Sequence, residues 1–232
     1  MRTLAALVVV ALLLAALAVG VDRGAVVLAE RALAAQVQRS GALAQRPDVD
    51  VQGFPFLTQA LRGRYDEVRL RAEGDVGGVE VDRLDVRLAG VRVPLSDVVG
   101  GRVDAVPVDG VRGDVVVTYG WLSDQVGDGL ELSAEGDLLR VRGEVEVFGR
   151  ELGASALSDV RLERGTVVVR ARELDTGAGA VDGVLERVLA DRFDLRVPLE
   201  GLPYGLEPTG LRVRPEGLLL TTAGGPTVLR RP

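Results

Sequence analysis

The chain has 232 residues, with 28 basic and 34 acidic side chains and a net charge of -6. Every basic residue is Arg, and Lys, His, Cys, Asn and Ile do not occur. These absences exclude a Ser-His-Asp triad, imidazole and thiolate metal sites, disulfides, a Schiff-base lysine and N-glycosylation, and an acidic chain with few aromatics is no general partner for nucleic acid.

Thr3 to Val21 is a run of 19 uncharged residues, nearly all Ala, Leu and Val, bounded by Arg2 and Asp22. That length suits a membrane span of ~20 residues. Ala16-Leu17-Ala18 also fits the small-x-small pattern of a signal cleavage site. The run is longer than the usual ~7–15-residue signal core, which favours an uncleaved anchor. The single Arg on its N-terminal side places the rest of the chain outside the cytoplasm, at the cell membrane or in a periplasm-like envelope space. The expected organisation is a membrane segment over 1–21 and one exported domain over 22–232.

From Asp22 to Ser40 the pattern predicts a helix. Val26, Leu33 and Val37 share a face with Ala29, and Gly41 suits the C-terminal cap. A short strand, Val49 to Val51, leads into Gly53-Phe54-Pro55-Phe56-Leu57-Thr58-Gln59, which holds half of the four Phe. A short helix is expected around Leu57 to Leu61 and another around Tyr119 to Val126.

Most of the remaining chain alternates with period two. Val68 and Leu70 alternate with Arg69 and Arg71; Leu139, Val141, Val145 and Val147 with Arg140, Arg142, Glu144 and Glu146; Val167, Val169 and Ala171 with Arg170 and Arg172; Leu211 and Val213 with Arg212 and Arg214. This is the signature of antiparallel strands with one buried and one wet face. Arg164-Gly165 and Glu216-Gly217 read as hairpin turns. Between Val79 and Leu95 the apolar parity changes twice: Val79 and Val81, then Leu84, Val86 and Leu88, then Val91, Val93 and Leu95. Each change implies a bulge or a break. Bulges together with 30 glycines suit a strongly curved sheet. A final helix is expected over Val181, Val184, Leu185, Val188 and Leu189. Helices separated by runs of antiparallel strands give an α+β fold.

Catalytic motifs are weak. Gly177-x-Gly179-x-x-x-Gly183 is one residue too long for a dinucleotide fingerprint and follows an Arg-alternating strand, so it reads as a loop. Gly153-Ala-Ser155 lacks the second glycine of a nucleophile elbow and any His partner. The carboxylates fall on outward strand positions and in turns, without calcium-loop spacing. The chain reads as non-enzymatic, with no cofactor and no metal. Gly53 to Gln59 and Gly201 to Leu206 are two apolar loops stiffened by Pro55 and Pro203. They either plug the ends of a core or frame the mouth of an apolar cavity.

Behind the membrane segment, Val49 to Val68 spells V-x-V-x-G-F-P-F-L-T-Q-x-L-x-G-x-Y-x-x-V. Near the C-terminus stands L-P-Y-G-L with a G-L-x-V-x-x-x-G-L hairpin, within Leu202 to Leu218. In this order they resemble the actinobacterial LmeA-like phospholipid-binding family. The resemblance implies a cell-envelope protein that binds phospholipid, of phosphoinositide type. It also implies a tubular lipid-binding fold, in which a long curved antiparallel sheet wraps one or two amphipathic helices around an apolar tunnel. On that reading the lipid contacts are Phe54, Phe56, Leu57, Leu202, Pro203 and Tyr204, with Arg62 and Arg64 positioned to take a phosphate bidentately. The alternative is a membrane-tethered interaction domain with a solid core, whose arginines form a solvated strand face.

Overall fold

The N-terminal apolar run and the amphipathic segment after it form one uninterrupted helix, α1 (Arg2–Arg39), of 38 residues. At ~1.5 Å per residue it is about 57 Å long. The computed structural model describes residues 2–39, 41, 43–100, 103, 105–126, 129–147, 150–175, 194–199 and 205–230. The expected helix over Val181 to Leu189, the Gly177 to Gly183 stretch and Leu202 to Tyr204 lie outside the described residues. The first half of α1 exposes Leu12, Leu13, Leu14 and Leu17, whereas Val26 and Ala34 in its second half are buried. The helix is long and apolar enough to cross a membrane.

The strands are antiparallel and form two large sheets. One has six strands in the order β1 (Asp48–Gln52), β2 (Arg64–Val76), β3 (Val79–Arg92), β5 (Gly110–Thr118), β12 (Gly217–Gly224) and β11 (Glu207–Val213). The other has five, in the order β10 (Leu195–Pro198), β9 (Thr166–Asp175), β8 (Arg150–Glu163), β7 (Leu138–Val147) and β6 (Glu131–Glu135). A two-stranded ribbon pairs β4 (Ala105–Val108) with β13 (Thr227–Arg230). Three short helices complete the described chain: α2 (Phe56–Arg62), α3 (Leu95–Gly100) and α4 (Tyr119–Val126). The fold is α+β, as the sequence pattern predicts. Leu95, expected to end a strand, instead opens α3, because Pro94 cannot continue a ladder and its carbonyl accepts from the Asp97 and Val98 amides.

The parity changes have distinct causes. The first is a bulge, where the β3–β5 register shifts between Val81 and Arg83. The second carries no register shift in the β2–β3 pair. It falls at Gly90, whose φ is +59, a conformation that favours glycine. A Cβ there would also overlap the Asp109 side chain. The turn between β11 and β12 closes through backbone bonds between Arg214 and Gly217, so its central pair is Pro215-Glu216, one residue earlier than expected.

Helix α1 runs antiparallel to β1. The Val51 amide donates to Glu30 Oε1 at 3.0 Å and Arg46 donates to the Arg31 carbonyl at 2.8 Å. Nearer the span, Asp22 accepts from the amides of Phe56 at 3.1 Å and Leu57 at 2.8 Å. Helix α2 starts after Pro55, which supplies no side-chain cap, so the carboxylate of α1 caps it across the chain. Asp22 is only 3 % exposed. The first core cluster joins α1 through Val26 to Val51, Phe56, Tyr65 and Val91. A second cluster, around Leu139, Val141, Ala156 and Val169, ties the five-stranded sheet to Val213 and Leu218 at the far end of the six-stranded one.

Two outcomes are expected. Asp22→Ala leaves two amides at the start of α2 without their acceptor and lowers unfolding free energy by about 1–2 kcal/mol. Asp22→Asn keeps one acceptor and costs less; urea titration of the detergent-solubilised full chain, followed by circular dichroism, checks both. Tyr119, whose hydroxyl donates to the Arg214 carbonyl at 2.7 Å, has its phenol pushed up to about 12 by burial, with the Glu216 carboxylate adding to the effect. The unfolded phenol ionises near 10.0. Its contribution is therefore complete below about pH 10 and is lost between about pH 10 and 12. Tyr119→Phe flattens the melting-temperature profile in that window.

Candidate functional site

One face of the six-stranded sheet is aliphatic along its whole width. The register aligns Val51, Val68, Leu88 and Val111 in one cross-strand row. Four residues further from the span it aligns Ala72, Leu84, Val115, Leu220 and Leu211 in a second row. Ala25, Ala29 and Leu33 of α1 pack on the same cluster as the first row. The second row lies beyond that contact, and Leu84, Val115, Leu220 and Leu211 are half-buried there.

The opposite face is charged. Arg71 pairs with Asp48 at 3.0 Å and with Asp85 at 3.6 Å, and Arg87 reaches Asp85 at 3.3 Å. A hollow of about 810 Å³ on this side has walls of Asp, Arg and Glu from β3, β5 and the β11–β12 turn. Desolvating those walls against an acyl chain is unfavourable, so an apolar ligand belongs on the aliphatic face.

The end of the sheet nearest the apolar half of α1 is built by α2. Phe56, Gln59 and Ala60 face inward at i, i+3 and i+4. Phe56 is 3 % exposed and its ring centroid lies 6.1 Å from that of Tyr65. It is a core residue rather than part of a free rim. Gln59 locks the helix in place: it donates to the Gln52 carbonyl at 3.3 Å and accepts from the Asp66 amide at 2.8 Å. Leu57 is half-buried against the same core. Phe54 points outward, 59 % exposed, with the Arg23 guanidinium 5.0 Å from its ring centroid. The two Phe of the loop thus have opposite environments.

Arg62 and Arg64 line a shallow groove of about 600 Å³ together with Leu61, Arg92, Pro94 and Ser96. Arg64 pairs with Asp109 at 2.9 Å and Arg92 pairs with the same carboxylate. Arg62 makes no ion pair among the described residues. Leu202, Pro203 and Tyr204 are outside the described residues. Leu206 just after them packs on the cluster that contains Phe56. Sequence reasoning missed Arg92, Asp109 and Asp22. Arg92 sits in an Arg-rich alternation that resembles every other strand. Asp109 is signalled only by the Gly90 it needs. Asp22 looks like the charge that ends an apolar run.

Phe56→Ala is expected to cost about 3–5 kcal/mol of stability, as a truncated buried Phe does. Phe54→Ala should stay within about 0.5 kcal/mol of the parent chain. Chemical denaturation of the two single variants in the same detergent reads the contrast.

The chain matches no curated protein and no solved structure. A family model, LmeA-like phospholipid-binding, matches residues 20–223. The matched span starts inside α1 and takes in Asp22, the α2 groove, both large sheets and the aliphatic face, and the chain belongs to the LmeA-like phospholipid-binding family.

Proposed function

We propose that this chain is a non-enzymatic phospholipid-binding module of the cell envelope, held to the membrane by Thr3 to Val21, with the folded domain outside the cytoplasm. The carrying observation is the aliphatic face of the six-stranded sheet. Its rows continue past α1 into half-buried Leu84, Val115, Leu220 and Leu211. These leucines lie outside the cluster that packs on α1 and leave aliphatic surface for a ligand. Acyl chains lie along these rows, and lipid is passed on from the same site. The headgroup sits at the α2 end, where Arg62 and Arg64 meet a phosphate of phosphoinositide type. Phe54 and Leu57, with Leu202, Pro203 and Tyr204, frame the entrance, while Phe56 holds the wall behind it. Family membership supports a phospholipid ligand, and the aliphatic rows are a surface suited to its acyl chains.

The test uses the full chain in lipid nanodiscs containing a phospholipid with a diazirine at the acyl terminus. Photolysis and peptide mapping are expected to place adducts on β3, β5 and β12, around Leu84, Val115 and Leu220. Leu84→Trp, which fills the second row, should lower that yield several-fold while leaving adducts on Thr3 to Val21. Adducts confined to the span would instead favour the tethered interaction domain with a closed core.

A further inference from the structure

We propose that the outer face of α2 is a membrane-docking collar, seated on the anionic headgroup layer of the same bilayer that α1 crosses. Three observations converge on it. The first is position. Asp22 and Arg23 are the first charged residues beyond the apolar run, and both touch the α2 region: Asp22 through the Phe56 and Leu57 amides, Arg23 through the Phe54 ring. Since α1 is one continuous helix, the level at which it leaves the hydrocarbon is also the level of α2.

The second is exposed apolar surface. Leu61 is 85 % exposed and Phe54 59 %. Leu61 lies in the last turn of α2, off the inward stripe of Phe56, Gln59 and Ala60, and Phe54 stands just before Pro55 at the start of the helix. A Phe and a Leu held out of the fold beside a membrane exit belong in the interface, where aromatic rings and amphipathic helices partition.

The third is charge. The chain as a whole is at -6, yet the groove beside Leu61 carries Arg62, Arg64 and Arg92. The acids at this end are Asp109, bridging Arg64 and Arg92, Asp97, held by Ser96, the enclosed Asp22 and Asp66, whose amide donates to Gln59. Arg62 has no partner among the described residues. Arginines at this height gain from the negative surface potential of anionic lipid, and the guanidinium fork matches a lipid phosphate.

The docking rests on α1 being inserted, which belongs to the proposed function, but not on a lipid occupying the sheet. The chain contains no Cys, so single cysteines can carry a nitroxide in the full-length protein. Leu61→Cys reports on the collar. Glu80→Cys, exposed at the start of β3, reports on the opposite end of the sheet. Both labelled chains are reconstituted into phosphatidylcholine vesicles with and without phosphatidylglycerol. Oxygen and a water-soluble nickel chelate are then compared as relaxants. The label at Leu61→Cys should be oxygen-accessible and nickel-shielded, more so with phosphatidylglycerol, while Glu80→Cys stays water-like. Adding Arg62→Gln should cancel the phosphatidylglycerol increment without changing the melting temperature.

Equal nickel accessibility at the two labels, in a chain that resists alkaline carbonate extraction, overturns the collar. Release of the chain by carbonate overturns it as well, since no anchor then sets the level. A shielded label in a chain whose sheet takes no diazirine adduct keeps the collar and removes the lipid site. The reverse pattern keeps the lipid site and removes the collar.

Discussion

A single buried carboxylate joins the long N-terminal helix to the sheet. Asp22 sits one residue past the apolar run, is almost wholly enclosed and accepts from two consecutive amides at the start of α2. A buried charge is costly unless it is hydrogen-bonded, and two amides at a helix N-terminus supply both hydrogen bonds and favourable dipole. The bond reaches 34 residues along the sequence and leaves α1 little freedom to swing. Further along, Glu30 accepts from the Val51 amide of β1 and Arg46, just before β1, donates to the Arg31 carbonyl. These bonds tie α1 to the sheet along its second half. The six strands run alongside α1, so the direction of α1 in a bilayer also sets the direction of the sheet.

The interior departs from the usual aromatic-rich core. Among the described residues Phe56 and Tyr65 form its ring pair, and the other buried apolar residues are Val, Ala and two Leu. Small branched side chains suit a pleated surface and tile it evenly. They are too short to fill the space between widely separated layers. Where α1 lies close, Val51 and Val111 are buried and Val68 and Leu88 between them are half-buried. Beyond it, Leu84 and Leu220 remain half-buried. What distinguishes the two rows is α1, which packs on the cluster of the first row and not on Leu84, Val115 or Leu220. Gly90 marks the packed end, since only its missing Cβ lets Asp109 approach and bridge Arg64 with Arg92.

Much of the fold was legible in the residues because alternation is local. Strands β2, β7, β9 and β11 could be read from Arg and Val exchanging places. The first parity change of β3 located its bulge, and the short helices over Leu57 to Leu61 and Tyr119 to Val126 stand where expected. What was not legible depends on distant pairing. Nothing near Leu220 announces that β12 lies between β5 and β11, since Leu220 pairs with Val115 more than 100 residues earlier. The division into two large sheets rather than one follows from such pairings. At the site, Phe54 and Phe56 have the same neighbours in sequence, yet the inward stripe of α2 takes one and leaves the other outside. Arg62 and Arg64 were visible as a basic pair beside the loop. Arg92 joins them only because β3 ends next to the start of β2, with Arg92 opposite Arg64.

Strand geometry relates this architecture to the size of a lipid. From Tyr65, at the packed end beside α2, to Ala72 in the second aliphatic row is seven residues of β2, about 23 Å at ~3.3 Å per residue. One leaflet contributes about 15 Å of hydrocarbon, half of a ~30 Å core. On the proposed reading, an acyl chain whose headgroup stays at α2 covers about two thirds of that distance, and reaching the rows around Leu84 and Leu220 draws the headgroup inward with it. The second core cluster, with Leu139, Val141 and Ala156, closes the far end against Val213 and Leu218. Its inner residues are small, and Ser158 is fully buried there. That end is a packed stop, whereas the α2 end carries the exposed Phe and Leu and the arginines. On the proposed reading the asymmetry gives the module a direction. Lipid enters and leaves where α1 emerges from the membrane, and the distal sheet limits how far it travels.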